Sequence, residues 1–235
     1  MPDVAIASLN LHCGVGPRGQ VYDVAAAIRS LDAPVILVQE TWSPDAPSAP
    51  DPVEAAASAL GAELFRMPVG RTDSLATMGI PMQSGPGTIG IALISCLPAS
   101  DYEVLELGDV PGDRVTRRAQ IVTLELSGRA AFRLAGTHLT HRLTSPLQLG
   151  RLICHLSGSS VPTVIAGDLN MPRHLARLAP GYSATVRGRT WPAELPMVQL
   201  DHVLISRGLR QTAASVLPPA GSDHLPVRVS LRLDG

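Results

Sequence analysis

VPTVIAGDLN, residues 161–170, is an apolar run that ends on glycine, aspartate, leucine and asparagine. Its apolar part has the length and composition of a buried strand. Asp168 and Asn170 are two residues apart, so in an extended chain both side chains lie on one side and can grip a metal ion or a reacting oxygen. Glycine, aspartate and asparagine are also the commonest turn residues, and other stretches of the chain must decide between these interpretations.

The composition is that of a globular protein. Of the 235 residues, 45% are hydrophobic and 17% are charged, which argues against a disordered chain. The longest strongly apolar stretch, IGIALISCLPA, is about strand length and far short of the roughly 20 residues of a spanning helix, so we expect no membrane span. The N-terminus lacks the basic region of a secretory signal. We interpret Cys13, Cys96 and Cys154 as buried thiols and expect a cytoplasmic protein.

The basic residues exclude several classes of site. All 19 of them are arginine, and the chain contains no lysine. The usual P-loop nucleotide site, a Schiff-base lysine and a Ser-Lys dyad are therefore excluded. The formal net charge of -1 argues against a strongly basic surface for long nucleic acid, but it is compatible with a local cleft lined by arginine.

Short strands interleaved with a few helices predict a single mixed α/β sheet sandwich over residues 1–235. DVAIASLNL and APVILVQE flank the helical stretch YDVAAAIRSL, which is typical of a strand–helix–strand unit with parallel strands. Asp51 as N-cap, Pro52 and the closing Gly61 predict a helix, and Ser145 with Pro146 predicts another that begins in the same way. Further strands are predicted near 63–68, 88–95, 101–107, 119–126, 131–137, 162–166, 200–206 and 226–233.

Polar residues of a restricted set stand at or next to the ends of six predicted strands. Rigid strands that bring carboxylates and imidazoles to one edge are what a metal-assisted hydrolase needs. The residues, in chain order, are Asn10, Glu40, His138, Asp168 with Asn170, Asp201, and Asp223 with His224.

The ordered series SLNLHCG, VILVQE, GTHL, AGDLN, LDHVLIS and SDHLPV resembles the endonuclease/exonuclease/phosphatase superfamily from about residue 4 to residue 231. The resemblance implies the deoxyribonuclease I-like fold, in which two packed mixed β-sheets are flanked by helices in a four-layer α/β/β/α sandwich. It also implies Mg²⁺, with Mn²⁺ as a substitute, and in-line attack of water on a phosphate ester at one end of the sandwich.

The resemblance implies a role for each of the polar residues at the strand ends. Glu40 is similar to the principal metal ligand, with Asn10 beside it and Asp223 near the metal; oxygen ligands of this kind suit Mg²⁺. His224 resembles the imidazole that faces the scissile phosphate, and Asp201 resembles the carboxylate that orients it.

The remaining residues are implied to act on the attacking water and on the phosphate. Asp168 would orient or deprotonate the water, and Asn170 would donate a hydrogen bond to a phosphoryl oxygen. His138 would contact the phosphate or protonate the leaving oxygen. Whether Asp168 or His224 is the general base stays open at the level of sequence.

Four further residues are candidates for substrate binding by the same resemblance. Arg118 matches an arginine at the start of a family strand, and RGRTWP places Arg189 and Trp191 at the edge of the cleft, although a solvated arginine and a packing tryptophan are equally compatible. His12 lies in a segment that resembles the NxHxG variant of the family and is expected to line the cleft.

The sequence favours a Mg²⁺-dependent phosphodiesterase or nuclease. The alternatives are a phosphomonoesterase for a small phosphorylated metabolite or lipid, and a non-catalytic relative that binds phosphate. We expect a monomer that acts on a phosphate ester, with short nucleic acid among the substrates. His138 and His141 have an H-x-x-H spacing, but a strand end with a loop is a different context from the helical zinc motif, so zinc is disfavoured.

Overall fold

The computed structural model describes residues 3–71, 86–109, 115–126, 130–141 and 144–234. Within these ranges the chain forms two six-stranded sheets. The strands of the first sheet are β1 (Val4–Asn10), β2 (Val35–Pro44), β3 (Glu63–Arg71), β4 (Gly87–Ser95), β11 (Leu209–Val216) and β12 (Val227–Leu233). The strands of the second are β5 (Ala99–Gly108), β6 (Arg117–Glu125), β7 (Ala131–His138), β8 (Thr163–Asp168), β9 (Tyr182–Ala184) and β10 (Asp201–Ser206).

The described helices are α1 (Val24–Ser30), α2 (Pro52–Ala59), α3 (Ser145–Leu156) and α4 (Arg173–Ala176), with one 3-10 turn at His12–Gly14. Asp51 caps α2 as predicted, because its side chain accepts hydrogen bonds from the backbone N–H groups of Val53 and Glu54. Among the described helices, none has the length and hydrophobicity that a bilayer-spanning segment requires.

Both sheets are mixed, as predicted. The spatial order is β11-β12-β1-β2-β4-β3 in the first sheet and β5-β6-β7-β8-β10-β9 in the second. Each sheet contains one parallel pair: β1 with β2, connected through α1, and β7 with β8, connected through α3. The carboxyl ends of a parallel pair meet at one edge of a sheet. The terminal residues Asn10 and His138 are therefore placed at such edges.

The core confirms the four-layer α/β/β/α sandwich. The two sheets pack face to face through Ile6, Leu37, Phe132, Val164 and other buried residues of both sheets. The outer face of the first sheet is covered by α1 and α2, and the outer face of the second by α3 and α4. The central strands of both sheets are consequently buried, which explains why apolar runs marked them in the sequence, whereas β5 and β11 at the sheet edges are largely exposed.

Three elements differ from the sequence predictions. β9, β11 and α4 were not predicted: β9 and α4 have only three and four residues, and β11 lies at the edge of its sheet with a mostly exposed sequence. Ser145 is the first residue of α3 and is buried, rather than its N-cap; Thr144 occupies the cap position without a side-chain capping bond.

The prediction of three buried thiols is wrong for two of them. Cys13 is buried, whereas Cys96 and Cys154 are exposed. Cys96 follows the last residue of β4, and Cys154 lies on the solvent face of α3. A cysteine at the end of an apolar strand or within an amphipathic helix can face solvent, because the pattern fixes the face only when the boundaries are known.

Two glycines give a matched test of this packing. Gly167 immediately precedes Asp168, has φ of 135°, and a Cβ there would lie 1.9 Å from the carbonyl oxygen of Thr137 on the adjacent strand. Gly150 lies on the exposed face of α3, and a Cβ there would meet open space. We expect Gly167→Ala to lower the free energy of unfolding by about 2–5 kcal/mol. Gly150→Ala should raise it by up to about 1 kcal/mol. Urea denaturation measures both, and equal effects would contradict the register of β7 and β8.

Candidate active site

One asparagine connects the carboxylates of the two sheets. Asn10, the last residue of β1, donates from Nδ2 to Glu40 Oε1 at 3.1 Å and to Asp168 Oδ2 at 3.2 Å. Glu40 belongs to the first sheet and Asp168 to the second. The Oδ1 atom of the same amide accepts the backbone N–H of His12 at 2.9 Å, which fixes the orientation of the amide. The polar strand ends therefore form one continuous cluster across the boundary between the two sheets, which we call the seam.

A β-bulge places Glu40 in this cluster. The pairing of β2 with β4 shifts register between Val38 and Thr41, and Glu40 adopts a left-handed backbone conformation with φ of 49°. Such a conformation is costly for a residue other than glycine and is typical of functional sites. The bulge turns the carboxylate toward the second sheet, where Oε1 lies 3.8 Å from His138 Nδ1.

The second sheet supplies a row of three residues. Asp168 is in register with His138 on one side and with Asp201 on the other. Residues in register on adjacent strands point to the same face of a sheet. All three side chains thus face the first sheet, and the sequence alone could not provide this alignment because it required the strand order.

His138 is held as a neutral imidazole. Burial is the main reason that its pKa lies well below the usual value, and the nearby positive charge of Arg117 lowers it further. Nδ2 of Asn170 lies 3.0 Å from His138 Nε2 and donates at 3.0 Å to the carbonyl of Leu139. Both amide hydrogens of Asn170 are therefore engaged, and donation to a phosphoryl oxygen requires that the oxygen replace one of these acceptors.

Asp201 and His224 form a buried pair. Asp201 is fully buried, and its Oδ2 accepts a hydrogen bond from His224 Nδ1 at 2.9 Å. The other ring nitrogen, Nε2, faces Asp168 Oδ2 at 3.8 Å, which is too long for a hydrogen bond. His224 is therefore oriented by Asp201, and its second nitrogen points into a gap that it shares with Asp168.

The charges of this group are strongly coupled. Burial disfavours the imidazolium of His224, but the carboxylates of Asp201, Asp168 and Asp223 outweigh it and raise the pKa of His224 to about 10. Burial raises the pKa of Asp168 to about 7, although the positive charge of His224 acts in the opposite direction. One proton shared among these groups suits acid–base work near neutral pH.

Thr190 forms hydrogen bonds to the backbone at Asp201. It belongs to the segment RGRTWP, in which the sequence predicts residues at the edge of the cleft, whereas the structure buries Thr190 completely. Its Oγ1 accepts hydrogen bonds from the backbone N–H groups of Leu200 at 3.0 Å and Asp201 at 3.2 Å. The hydroxyl therefore fixes the start of β10.

Asp223 lies at the rim of the cluster. Its Oδ2 accepts a hydrogen bond from Trp191 Nε1 at 3.2 Å, and its Oδ1 lies 3.7 Å from His12 Nδ1. The adjacent Ser222 donates to the carbonyl of Asn10 at 2.6 Å, which ties this loop to β1. Trp191 is 38% exposed, so Trp191 and His12 flank Asp223 on the solvent side.

The arginines are arranged differently from the sequence expectation. Arg118 donates to Glu106 Oε1 at 2.9 Å and toward the Pro68 carbonyl at 3.4 Å, and Arg189 is exposed. The neighbouring Arg117 instead donates to the carbonyl of His138 at 3.4 Å and, with Glu40 and His138, lines a cavity of about 20 Å³. The role of Arg118 in substrate binding stays a prediction.

The donor set suits a hard divalent cation. Glu40, Asp168, Asp201 and Asp223 are all carboxylates of the described cluster, and Asn10 adds an amide oxygen with a second lone pair. Asp168, Asp201 and His224 also have ligand atoms within 4.8 Å of one another, but Nδ1 of His224 is engaged by Asp201. The oxygens of Glu40, Asn10 and Asp223 are the set that the sequence resemblance implies for the cation, and Asp201 Oδ1 is a further buried oxygen without a hydrogen-bond partner in the described structure.

The sequence profile of the Endonuclease/Exonuclease/phosphatase family matches residues 7–224. The chain belongs to this family. Members of the endonuclease/exonuclease/phosphatase family are phosphoester hydrolases and typically depend on a divalent metal. No curated protein sequence matches the chain.

Solved structures of other family members have the same fold. An endonuclease/exonuclease/phosphatase from Beutenbergia cavernae superposes with a TM-score of 0.75 at 22% identity over 100% of this chain and 72% of that one. The human Nocturnin catalytic domain, with bound sulfate, gives 0.72 at 17% identity over 99% and 95%. A mannosyl-6-phosphatase from Bacteroides thetaiotaomicron gives 0.73 at 15% identity over 98% and 100%. At these identities the likeness concerns the fold.

The support for Asp201 can be tested through stability. Thr190→Val keeps the shape of the side chain but leaves two buried N–H groups without an acceptor. We expect a loss of about 2–4 kcal/mol in the free energy of unfolding. Thr190→Ser keeps the hydroxyl and should lose less than half as much. If the valine and serine variants were equally stable in urea denaturation, the hydrogen bonds of Thr190 would not matter.

Proposed function

We propose that the protein is a Mg²⁺-dependent phosphoester hydrolase that prefers phosphodiesters, including short nucleic acid, over phosphomonoesters. The observation that carries the proposal is the chain Asp201–His224–Asp168, which faces Glu40 across the seam. The polar atoms of these residues surround the gap between His224 Nε2 and Asp168, and they come from both sheets. A protein that only binds phosphate has no need for an oriented imidazole beside a carboxylate of raised pKa, so this arrangement favours catalysis over binding alone.

The side chains around the gap act on the water and on the phosphate. Asp168 orients the attacking water and accepts its proton, and His224, held by Asp201, donates to a phosphoryl oxygen as negative charge develops there. His138, fixed as the neutral imidazole, and Asn170 hold the phosphoryl group from the side of β7. Each of these groups is positioned at a strand end or in a loop next to one, so little reorganisation is needed during the reaction.

Glu40, Asn10 and Asp223 would hold Mg²⁺. The ion would stabilise negative charge on the phosphate oxygens and on the leaving group. The bulge at Glu40 and the hydrogen bond from Trp191 to Asp223 hold these carboxylates in place. The two sides of the gap then have separate tasks: the metal ligands lie mainly on the first sheet, and the acid–base groups lie mainly on the second.

Charge favours a diester over a monoester. The described cluster contains four carboxylates, whereas its cationic groups are His224 and Arg117. A phosphodiester carries one negative charge near neutral pH, and a phosphomonoester carries up to two. With Mg²⁺ bound, the ion, His224 and Arg117 only balance the four carboxylates, so the cluster has no excess positive charge to compensate the second charge of a monoester. The monomeric state, the cytoplasmic location and the single domain over residues 1–235 stay predictions.

The deciding experiment compares bis-p-nitrophenyl phosphate with p-nitrophenyl phosphate, with Mg²⁺ and with EDTA. We expect Mg²⁺-dependent turnover of both, with the larger kcat/KM for the diester. A larger kcat/KM for the monoester would make the protein a phosphomonoesterase. No turnover of either compound, nor of short DNA or RNA, would leave the non-catalytic phosphate-binding alternative.

The metal site is tested by Glu40→Gln, which removes an anionic ligand at constant size. We expect the fold to persist and at least about 99% of the Mg²⁺-dependent activity to be lost, because a neutral amide oxygen is a weak substitute for a carboxylate. Glu106→Gln, an exposed glutamate paired with Arg118, is the matched control and should keep its activity. Undiminished activity of the Glu40 variant, or of the wild type in EDTA, would refute the metal assignment.

The acid–base pair is tested by Asp201→Asn and His224→Ala. Both should lower kcat by about 10²–10⁴-fold, since the first removes the carboxylate that orients the imidazole and the second removes the imidazole itself. The double variant should be little slower than the slower single variant, because the two residues act as a unit. His155→Ala, a surface histidine paired with Glu103, serves as control. A wild-type rate for His224→Ala would defeat the proposed mechanism.

A further inference from the structure

The connection between β8 and β10 carries an unusual charge. The connection spans residues 169–200 and contains four arginines and one histidine, whereas Glu194 is its one acidic residue and pairs with Arg18, in a chain whose formal net charge is -1. The stretch begins beside Asp168 and contains Trp191, which contacts Asp223. A strongly basic segment is therefore inserted between two parts of the candidate active site, and the mechanism above does not use its arginines.

Three of these arginines gather at one place. Arg173 donates from Nε to the carbonyl of Val186 at 3.0 Å and from Nη2 toward that of Ala184 at 3.4 Å. Arg187 follows Val186 directly in the chain. Arg177 lies one helical turn after Arg173, and its backbone N–H donates to the carbonyl of Arg173 at 3.0 Å. We call Arg173, Arg177 and Arg187 the arginine cluster.

The arginine cluster lacks anionic partners among the described residues. No ion pair or hydrogen bond to a carboxylate involves any of its three members there. At least half of the 16 arginines in the described ranges have such a partner. Those that pair with an aspartate or glutamate are Arg18, Arg66, Arg71, Arg118, Arg133, Arg210, Arg228 and Arg232. Carboxylates of the described residues therefore do not hold the three arginines of the cluster together.

Without a counter-charge, the charged form of Arg173 is disfavoured in the protein without a bound ligand. Burial is the main cause that lowers the pKa of Arg173, and repulsion from Arg177 and Arg187 lowers it further. Two backbone carbonyls nevertheless hold the Arg173 guanidinium in place. A fixed guanidinium next to others of the same charge is an arrangement that a phosphate stabilises, because its oxygens accept several charge-assisted hydrogen bonds at once.

The arginine cluster is joined to the candidate active site by short stretches of chain. Arg173 is three residues after Asn170, and three residues of extended chain span at most about 11 Å. Arg187 is three residues before Thr190, which holds the start of β10. We propose that the arginine cluster is a second phosphate site, which binds a phosphate group of the substrate other than the one that is hydrolysed. This inference rests on the proposed function and narrows it to substrates with at least two phosphates.

The test uses a double variant and a charge-matched control. Arg177→Gln/Arg187→Gln removes two exposed arginines of the cluster and leaves the anchored Arg173 intact. Arg207→Gln/Arg210→Gln removes two exposed arginines at the turn between β10 and β11, at the opposite end of β10 from Asp201. Both variants change the net charge equally. Circular dichroism and urea denaturation establish that each is folded before its kinetics are measured.

Substrates with one and with several phosphates separate the possible outcomes. For a trithymidylate with two internal phosphodiesters and a 5′-phosphate, the cluster variant should raise KM by about tenfold. For bis-p-nitrophenyl phosphate, which has a single phosphate, the factor by which the cluster variant raises KM should be at least about fivefold smaller. The control should change neither by more than about twofold. Equal effects on both substrates, or equal effects of the two variants, would overturn the proposal.

A second arm identifies the source of the phosphate. Fructose 1,6-bisphosphate and fructose 6-phosphate are compared in the same way by release of inorganic phosphate. A selective increase of KM for the trithymidylate assigns the second phosphate to an oligonucleotide, and a selective increase for the bisphosphate assigns it to a small metabolite. Either result supports the second phosphate site, and no selective increase in either pair of substrates overturns it.

A binding measurement separates this inference from the proposed function. The affinity of 5′-fluorescein trithymidylate is measured by fluorescence anisotropy in the His224→Ala background, in the presence of EDTA, with and without the cluster variant. The cluster variant should weaken binding by about tenfold, and inorganic pyrophosphate should compete only when the cluster is intact. If the cluster variant weakens binding in this way but the wild-type protein turns over no substrate, the proposed hydrolase function is refuted and the second phosphate site is supported. Equal affinities refute the site whether or not the protein is a hydrolase.

Discussion

The hydrogen bonds from the Asn10 amide to Glu40 and Asp168 are the constraint on which the rest of the site depends. They join a carboxylate of one sheet to a carboxylate of the other at the open end of the sandwich. Without a donor between them, the half-buried carboxylate of Glu40 and the buried carboxylate of Asp168 would repel each other. The relative position of the sheets is set by the apolar core below, so the packing of Leu37, Phe132 and Val164 determines whether this bridge can form.

The site also concentrates features that cost free energy. Glu40, Asn170, His12 and Cys13 have positive φ values, and the cluster buries carboxylates whose ionised forms prefer water. The regular strands and the tightly packed core between the sheets compensate for this. Such a division, with strain at the strand ends and regular geometry beneath them, is common where a site must be complete before its ligand arrives.

Much of the architecture was readable from the sequence, since buried strands are apolar runs that end at polar residues. The same reasoning failed where burial is weak or an element is short, as in β9, β11 and α4. The polar strand ends were predicted to converge, and Asn10, Glu40, His138, Asp168, Asn170, Asp201 and His224 do lie together. What sequence could not provide is local geometry: the bulge that directs Glu40, the position of Arg117 beside His138, and the burial of Thr190.

The long connection from β8 to β10 has a consequence for how such a protein can diversify. The groups proposed for chemistry sit on strand ends that the core holds, whereas most of residues 171–189 pack against the outer face and the edge of the second sheet, with Val186 in the core between the sheets. The exposed positions of this segment can therefore accept substitutions or insertions at small cost to the sandwich. Natural variation there would change which molecules are accepted while the reaction stays the same, so substrate range and chemistry can evolve independently.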